Sequence, residues 1–243
     1  MARGGPDYGT LDTETVIKDI DEISVDISRT GFSRMDGGGR VIWFDDFSMG
    51  LSRVSAFGTG GGATPVPVME NDRAYGLSPS LKLDPVANTG QSIVGQIVPL
   101  PLSGKLGLEF GYYMPVDHGS LTVVFAPFIT YGLHEGFLLN YHQSTDEISL
   151  YVDSGYQAIY TPLTTDYTQD RRLQIKMVVN PETQKYERVF FGTSKISTPY
   201  NGRSNYIGGD VGGAFFQFIY KGEGASNKTP FYLGYVLISA DEP

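Results

Sequence analysis

From Val41 onward, short apolar runs alternate with Gly, Pro, Asn and Asp, the pattern of strands joined by tight turns. Val41-Ile-Trp-Phe-Asp-Asp-Phe47 predicts a buried strand that carries the single tryptophan. Further strands are predicted at 80–83, 93–98, 106–114, 121–130, 137–142, 147–152 and 157–161, then at 172–179, 185–192, 214–220 and 231–238. Asn180-Pro-Glu-Thr-Gln-Lys185 has the residues of a hairpin connection. No helical pattern interrupts the series, no internal repeat is present, and Gly58-Thr-Gly-Gly-Gly-Ala63 reads as a flexible loop. The spacing predicts an all-β protein, an antiparallel β-sandwich.

Residues 1–40 differ from this body, which spans 41–243. They are rich in Asp, Glu, Gly and Thr and end in the run Asp36-Gly-Gly-Gly39, the composition of an extended arm and a Gly-rich hinge. Val16, Ile20, Ile23 and Ile27 would line one face of a helix, whereas Ile23, Val25 and Ile27 alternate with Ser24 and Asp26 as a short strand would. In either form a short acidic arm cannot bury the stripe alone. It docks on its own body or on a neighbouring subunit, and the pattern leaves both open.

Composition narrows the function classes. With 40% hydrophobic and 13% aromatic residues, Gly 31 and Pro 14, the 243-residue chain is not disordered as a whole and can build a substantial core. A net charge of −9 would repel a phosphate backbone, so nucleic acid is not an expected partner. There is no cysteine, which excludes disulfides, thiolate metal sites and a thiol nucleophile. The first residues lack the apolar segment of a secretory signal. The longest apolar stretch, Leu121 to Leu133, is broken by Pro127 and too short for a membrane helix, so no membrane partner is expected.

The order of the segments resembles the concanavalin A-like, or laminin-G-like, jelly-roll family over Val41 to Pro243. Phe44-Asp-Asp-Phe-Ser-Met-Gly-Leu51 is similar to the opening strand of such domains and Ser80-Leu-Lys-Leu83 to their second. Arg172 to Lys185 resembles the strand and turn before a short strand pair, and Phe231 to Ser239 the last strand, which in this family often returns beside the first. The start, Met-Ala-Arg-Gly-Gly-Pro-Asp-Tyr-Gly9 with a short acidic arm and then Gly39 to Phe47, is similar to tailed-bacteriophage virion proteins that attach an arm to a jelly-roll body. That likeness implies a location in the virion, with other virion proteins or further copies of the chain as partners.

Retaining glycosidases on this scaffold place acids on alternate residues of one strand. Here Glu70-Asn-Asp72 is followed by Ala74, and Glu147 by Ser149, so the pattern is missing. Glu109 on an apolar strand is a candidate raised-pKa acid, with a solvated-face acid as the plainer expectation. His118, His134 and His142 lack the spacing of a zinc site, and scattered members do not define a Ser-His-Asp triad. Adjacent Asp45 and Asp46 point to opposite faces of a strand. Laminin-G-like domains often bind calcium through loop oxygens, but no EF-hand spacing is present, so neither metal nor cofactor is assigned. Gly192-Thr-Ser and Gly208 to Gly213 read as turns.

A sugar site is the more specific candidate. Asn140 and His142 share one face of the strand 137–142, and Tyr151 and Asp153 alternate with Leu150 and Val152 on the next. If the concave face is open, Asn140, His142, Tyr151 and Asp153 combine stacking with hydrogen bonding. Buried-ring tyrosines with wet hydroxyls explain the same residues as ordinary strand positions. The leading expectation is a non-enzymatic virion structural protein, a capsid decoration or other external component, assembling through Val16, Ile20, Ile23 and Ile27. The alternative is a carbohydrate-binding, lectin-like or receptor-binding module, and the third class a polysaccharide hydrolase.

Overall fold

The computed structural model describes residues 39–60, 63–68, 79–84, 90–98, 104–114, 119–130, 133–142, 145, 147–152, 155–160, 171–192, 194–201, 204–206, 214–222 and 230–242. The stripe Val16, Ile20, Ile23 and Ile27 lies outside them, as do Asp153, Glu70 to Asp72, His118 and Gly208 to Gly213.

Sixteen strands form two antiparallel sheets. The first contains β1 (Arg40–Asp45), β3 (Val66–Val68), β4 (Ser80–Leu83), β6 (Leu106–Met114), β11 (Arg171–Asn180), β12 (Lys185–Phe191), β13 (Ser194–Asn201) and β16 (Phe231–Ala240), in the order β13-β12-β11-β6-β16-β4-β3 with β1 also paired to β16. The second contains β2 (Ser55–Thr59), β5 (Gln91–Val98), β7 (Gly119–Thr130), β8 (Leu133–His142), β9 (Glu147–Val152), β10 (Gly155–Tyr160), β14 (Ser204–Tyr206) and β15 (Ala214–Gly222), in the order β10-β9-β8-β7-β15-β5-β2 with β14 beside β8. This is a jelly-roll sandwich. The first and last strands pair, Arg40 opposite Ala240 and Phe44 opposite Leu237.

The predicted strands are all present, and four more appear. β3 and β13 contain Pro67 and Pro199 and sit at or beside sheet edges, where a missing N–H is tolerated but the strand pattern is weak. β2 is a short edge strand that takes in Gly58 and Thr59, which were expected in a loop. β14 has three residues, too few for a periodic signal. Gly192 is in a turn, with φ 54°, between β12 and β13.

The sheets meet through inward aromatics. Phe110 of the first sheet packs edge-on to Phe218 of the second at 4.9 Å, and Phe231 stacks between Tyr112 and Tyr220 at 5.3 and 5.4 Å. Trp43 meets Phe216 at 5.0 Å. Each fully buried phenyl ring contributes about 1.5–3 kcal/mol by leaving water. β16 is buried at all ten positions, so it reads as one continuous apolar run and occupies the centre of its sheet.

The outer face of the first sheet carries buried charge. Lys176 lies 2.8 Å from Glu242 Oε1, Arg188 lies 3.0 Å from Oε2, and Ser239 Oγ bonds to Oε1. Glu109 is 1% exposed and accepts the Tyr235 hydroxyl at 2.9 Å, so the expectation of a solvated acid is corrected: its strand face is outward, but covered.

Candidate functional site

Alternation along the strands decides what the second sheet presents. Leu121, Val123 and Phe125 of β7, Phe137, Leu139 and Tyr141 of β8, and Ile148 and Leu150 of β9 enter the core. Thr122, Asn140 and Ser149 therefore point to the outer face. Register puts them in line: Ile219 is opposite Thr122, Thr122 opposite Asn140, Asn140 opposite Ser149, and Ser149 opposite Ala158. The neighbouring row pairs Gln217 with Val124, Val124 with Leu138, and Tyr151 with Tyr156. A polar row, Thr122, Asn140 and Ser149, thus runs across three strands beside a mainly apolar and aromatic one.

The polar row is partly wired. Asn140 Nδ2 donates to His142 Nε2 at 2.7 Å, and the Thr122 hydroxyl donates to Asn140 Oδ1 at 3.4 Å. With the amide nitrogen giving the hydrogen, Nε2 is the acceptor in this contact. Glu147 stands directly across from His142 on β9, and Ser120 across from it on β7. Ser149 Oγ and Gln217 Oε1 are buried with no hydrogen-bond partner. Buried polar atoms of this kind mark places that a ligand or water completes.

The aromatic side is more open. Tyr151 and Tyr156 meet edge-to-face at 5.3 Å, and Tyr156 remains 47% exposed. Partial burial, reinforced by the nearby Tyr151, pushes the Tyr156 hydroxyl above the usual phenol value, so it stays a neutral donor at physiological pH.

Of the four residues predicted for a sugar site, Asn140 and His142 are bonded to each other and Tyr151 lies on the same face, in the row beside theirs. Asp153 lies outside the described residues. Thr122, Ser149, Gln217 and Tyr156 were missed, because each joins the site through register with another strand, Gln217 with one far away in the sequence. At the other end of the sandwich, Asp45 and Asp46 each accept a backbone N–H two residues on, from Phe47 at 2.9 Å and Ser48 at 3.1 Å. Burial raises the Asp45 pKa, with the Phe47 N–H and Arg53 acting against it. Among the described residues, no group of three or more His, Asp or Glu could hold a metal ion.

No family model and no curated protein matches the sequence. Solved structures do match in fold. A conserved carbohydrate esterase from the Shiga toxin-encoding bacteriophage phi24B is 8% identical over 84% of this chain and 100% of that chain, with a TM-score of 0.56. Peanut lectin is 12% identical over 82% and 96%, with a TM-score of 0.49. The β-glucanase of Bacillus licheniformis is 10% identical over 84% and 98%, also at 0.49.

The expectation of a non-enzymatic protein is overturned by the first of these, since a chain of the same fold bears the name of a carbohydrate esterase. The missing acid triplet concerned retaining glycosidases alone. Other hydrolytic chemistry needs no such triplet, and one fold hosts many sites.

Proposed function

We propose that this chain is a carbohydrate-binding component of a bacteriophage particle that takes sugar on the outer face of its second sheet. The observation that carries the reading is the aromatic rim of Tyr151 and Tyr156 on the face that also holds two buried polar atoms without partners, Ser149 Oγ on β9 and Gln217 Oε1 three strands away on β15. A buried polar group without a partner costs about 1–3 kcal/mol. A sugar hydroxyl, both donor and acceptor, relieves that cost while a pyranose face covers the tyrosine ring. The Asn140–His142 pair adds an amide and an imidazole to the same face.

The phage setting is supported by the resemblance of the N-terminal segment and opening strand to virion proteins, and by the fold shared with a phage protein. The finer reading is an external component, such as a capsid decoration protein, that displays the sandwich away from the particle.

A glycan array with the full chain, followed by calorimetry on the best binder, tests the sugar site. Tyr156→Ala should weaken binding about tenfold, since an aromatic contact is worth roughly 0.5–1.5 kcal/mol beyond its area. Ser149→Ala should weaken it independently. Binding unaffected by both substitutions would remove the sugar site from this face. For the phage setting, the chain should co-sediment with intact particles through a density gradient, and its absence from purified particles would reject a virion role.

A further inference from the structure

The outer face of the second sheet holds a second and longer polar row. Ala56 of β2, Val94 and Val98 of β5, and Phe218 and Tyr220 of β15 turn inward. Thr59, Gln91 and Lys221 therefore turn outward, as Ser120, His142 and Glu147 do on β7, β8 and β9. Register sets the six side by side: Thr59 opposite Gln91, Gln91 opposite Lys221, Lys221 opposite Ser120, Ser120 opposite His142, and His142 opposite Glu147. The row crosses six adjacent strands without a break. Directly opposite residues on one face have Cβ atoms about 4.5–5.5 Å apart, near enough for neighbours to share one ligand group.

Charge gives the row a direction. Lys221, its one lysine, is exposed, and no described residue pairs with its ammonium, with the Gln91 amide or with the Ser120 hydroxyl. Glu147, its one acid, stands three strands away, about 14 Å from Lys221. Beside Gln91 and Lys221 the next row is apolar: Ile219 lies opposite Ile93, and Ile93 opposite Phe57, whose ring is 44% exposed on the edge strand β2. Tyr156, 47% exposed, lies on β10 at the other edge, about 29 Å away across the seven-strand path.

We propose that the ligand of this face is an acidic oligosaccharide laid across the strands, with a sugar carboxylate held by Lys221, Gln91 and Ser120. The inference rests on the sugar reading and names its substrate class. An ammonium, an amide and a hydroxyl on three neighbouring strands supply donors to both carboxylate oxygens, and the charged contact is the strongest of them. The apolar side of the same sugar ring covers Ile219, Ile93 and Phe57, as the rim of Tyr151 and Tyr156 does for another unit. Rings so far apart are both reached by a chain of sugars and not by a single one. Glu147 accepts hydroxyls and repels a second carboxylate, so the unit over it is neutral. At a net charge of −9 the protein exerts no long-range pull on an acidic polymer, which leaves the selectivity to the contact at Lys221.

The full chain would be applied to uronate- and sialate-bearing oligosaccharides printed beside the same oligosaccharides with their carboxyls reduced to alcohols. The best pair would then be measured by calorimetry. The acidic form should bind about tenfold or more tightly than its reduced form, and the gap should close as salt is raised to about 1 M. Lys221→Gln should remove the gap, whereas Tyr156→Ala should weaken both forms alike. Equal binding of the two forms, still weakened by Tyr156→Ala, would overturn the acidic ligand while leaving the sugar site. A preference for the acidic form that survives Lys221→Gln would place the carboxylate elsewhere and overturn the proposal. Binding of neither form by any member of the set would overturn it together with the sugar reading.

Discussion

The hydroxyl of Tyr186, a residue of the first sheet, accepts the backbone N–H of Leu138 in the second at 2.8 Å and lies 3.1 Å from the carbonyls of both Leu138 and Tyr151. The β8–β9 register begins one residue further on, at Leu139 opposite Leu150, so the phenol stands where the next rung would be. Its ring is fully buried and edge-on to Phe137 at 5.0 Å. One side chain thus joins the two layers and holds the strand pair that carries Asn140 and Tyr151.

Tyr186→Phe keeps the ring and removes the hydroxyl. The Leu138 N–H then loses its partner in the interior, at a cost of about 1–3 kcal/mol. The urea midpoint should fall while the slope of the transition stays the same. A midpoint unchanged within error would show that water replaces the phenol at this position.

The same hydroxyl makes stability depend on alkaline pH. Burial pushes the Tyr186 pKa above its ordinary 10.0, with the Leu138 hydrogen bond opposing and Tyr156 adding to the shift. The folded state therefore favours the neutral phenol. The resulting stability is fully present below the unfolded-state pKa and is lost as pH rises beyond it. Urea midpoints should be level up to about pH 9 and fall above about pH 10, and Tyr186→Phe should reduce that fall. An equal fall in both proteins would place the alkaline sensitivity elsewhere.

Glu242 pairs with Lys176 at 2.8 Å and Arg188 at 3.0 Å. Glu242→Gln leaves two buried cations without their carboxylate, and breaking one partner of such a group costs about 3–5 kcal/mol. Deleting the last two residues should cost as much. Thermal unfolding of both variants checks this, and a loss under about 1 kcal/mol would show that the cations find other partners.

Gly39→Ala tests the opposite side of the same contact. The added methyl would meet the Glu242 carboxylate and would have to adopt φ 80°, a conformation that costs a side chain about 1–3 kcal/mol. Because both changes act on one carboxylate, combining Gly39→Ala with Glu242→Gln should cost less than their sum. Strict additivity in denaturant midpoints would mean that the two residues do not press on each other.

The strand pattern was legible in the sequence because inward and outward residues alternate locally. Phe137, Leu139 and Tyr141 enter the core while Asn140 and His142 face out, as their spacing of two requires. The continuous run Phe231 to Ala240 also reads directly as a strand covered on both faces. Edge strands such as β2 and β13 were not legible, since residues that pack on one side only leave little apolar pattern.

The amino-acid order therefore determined, by itself, an all-β sandwich with its alternation and its turns. Only the tertiary structure decided which distant residues meet. Thr122, Asn140, Ser149 and Ala158 come into line through the pairing of four strands spread over 42 residues, and Glu242 reaches Lys176 from 66 residues away. It also decided that Glu109 is dry on an outward face, where the alternation predicted a wet one. Periodicity reports only the side of its own strand on which a residue lies. Register and layer order depend on the free energy of the whole packed chain, so neither can be read from a local window.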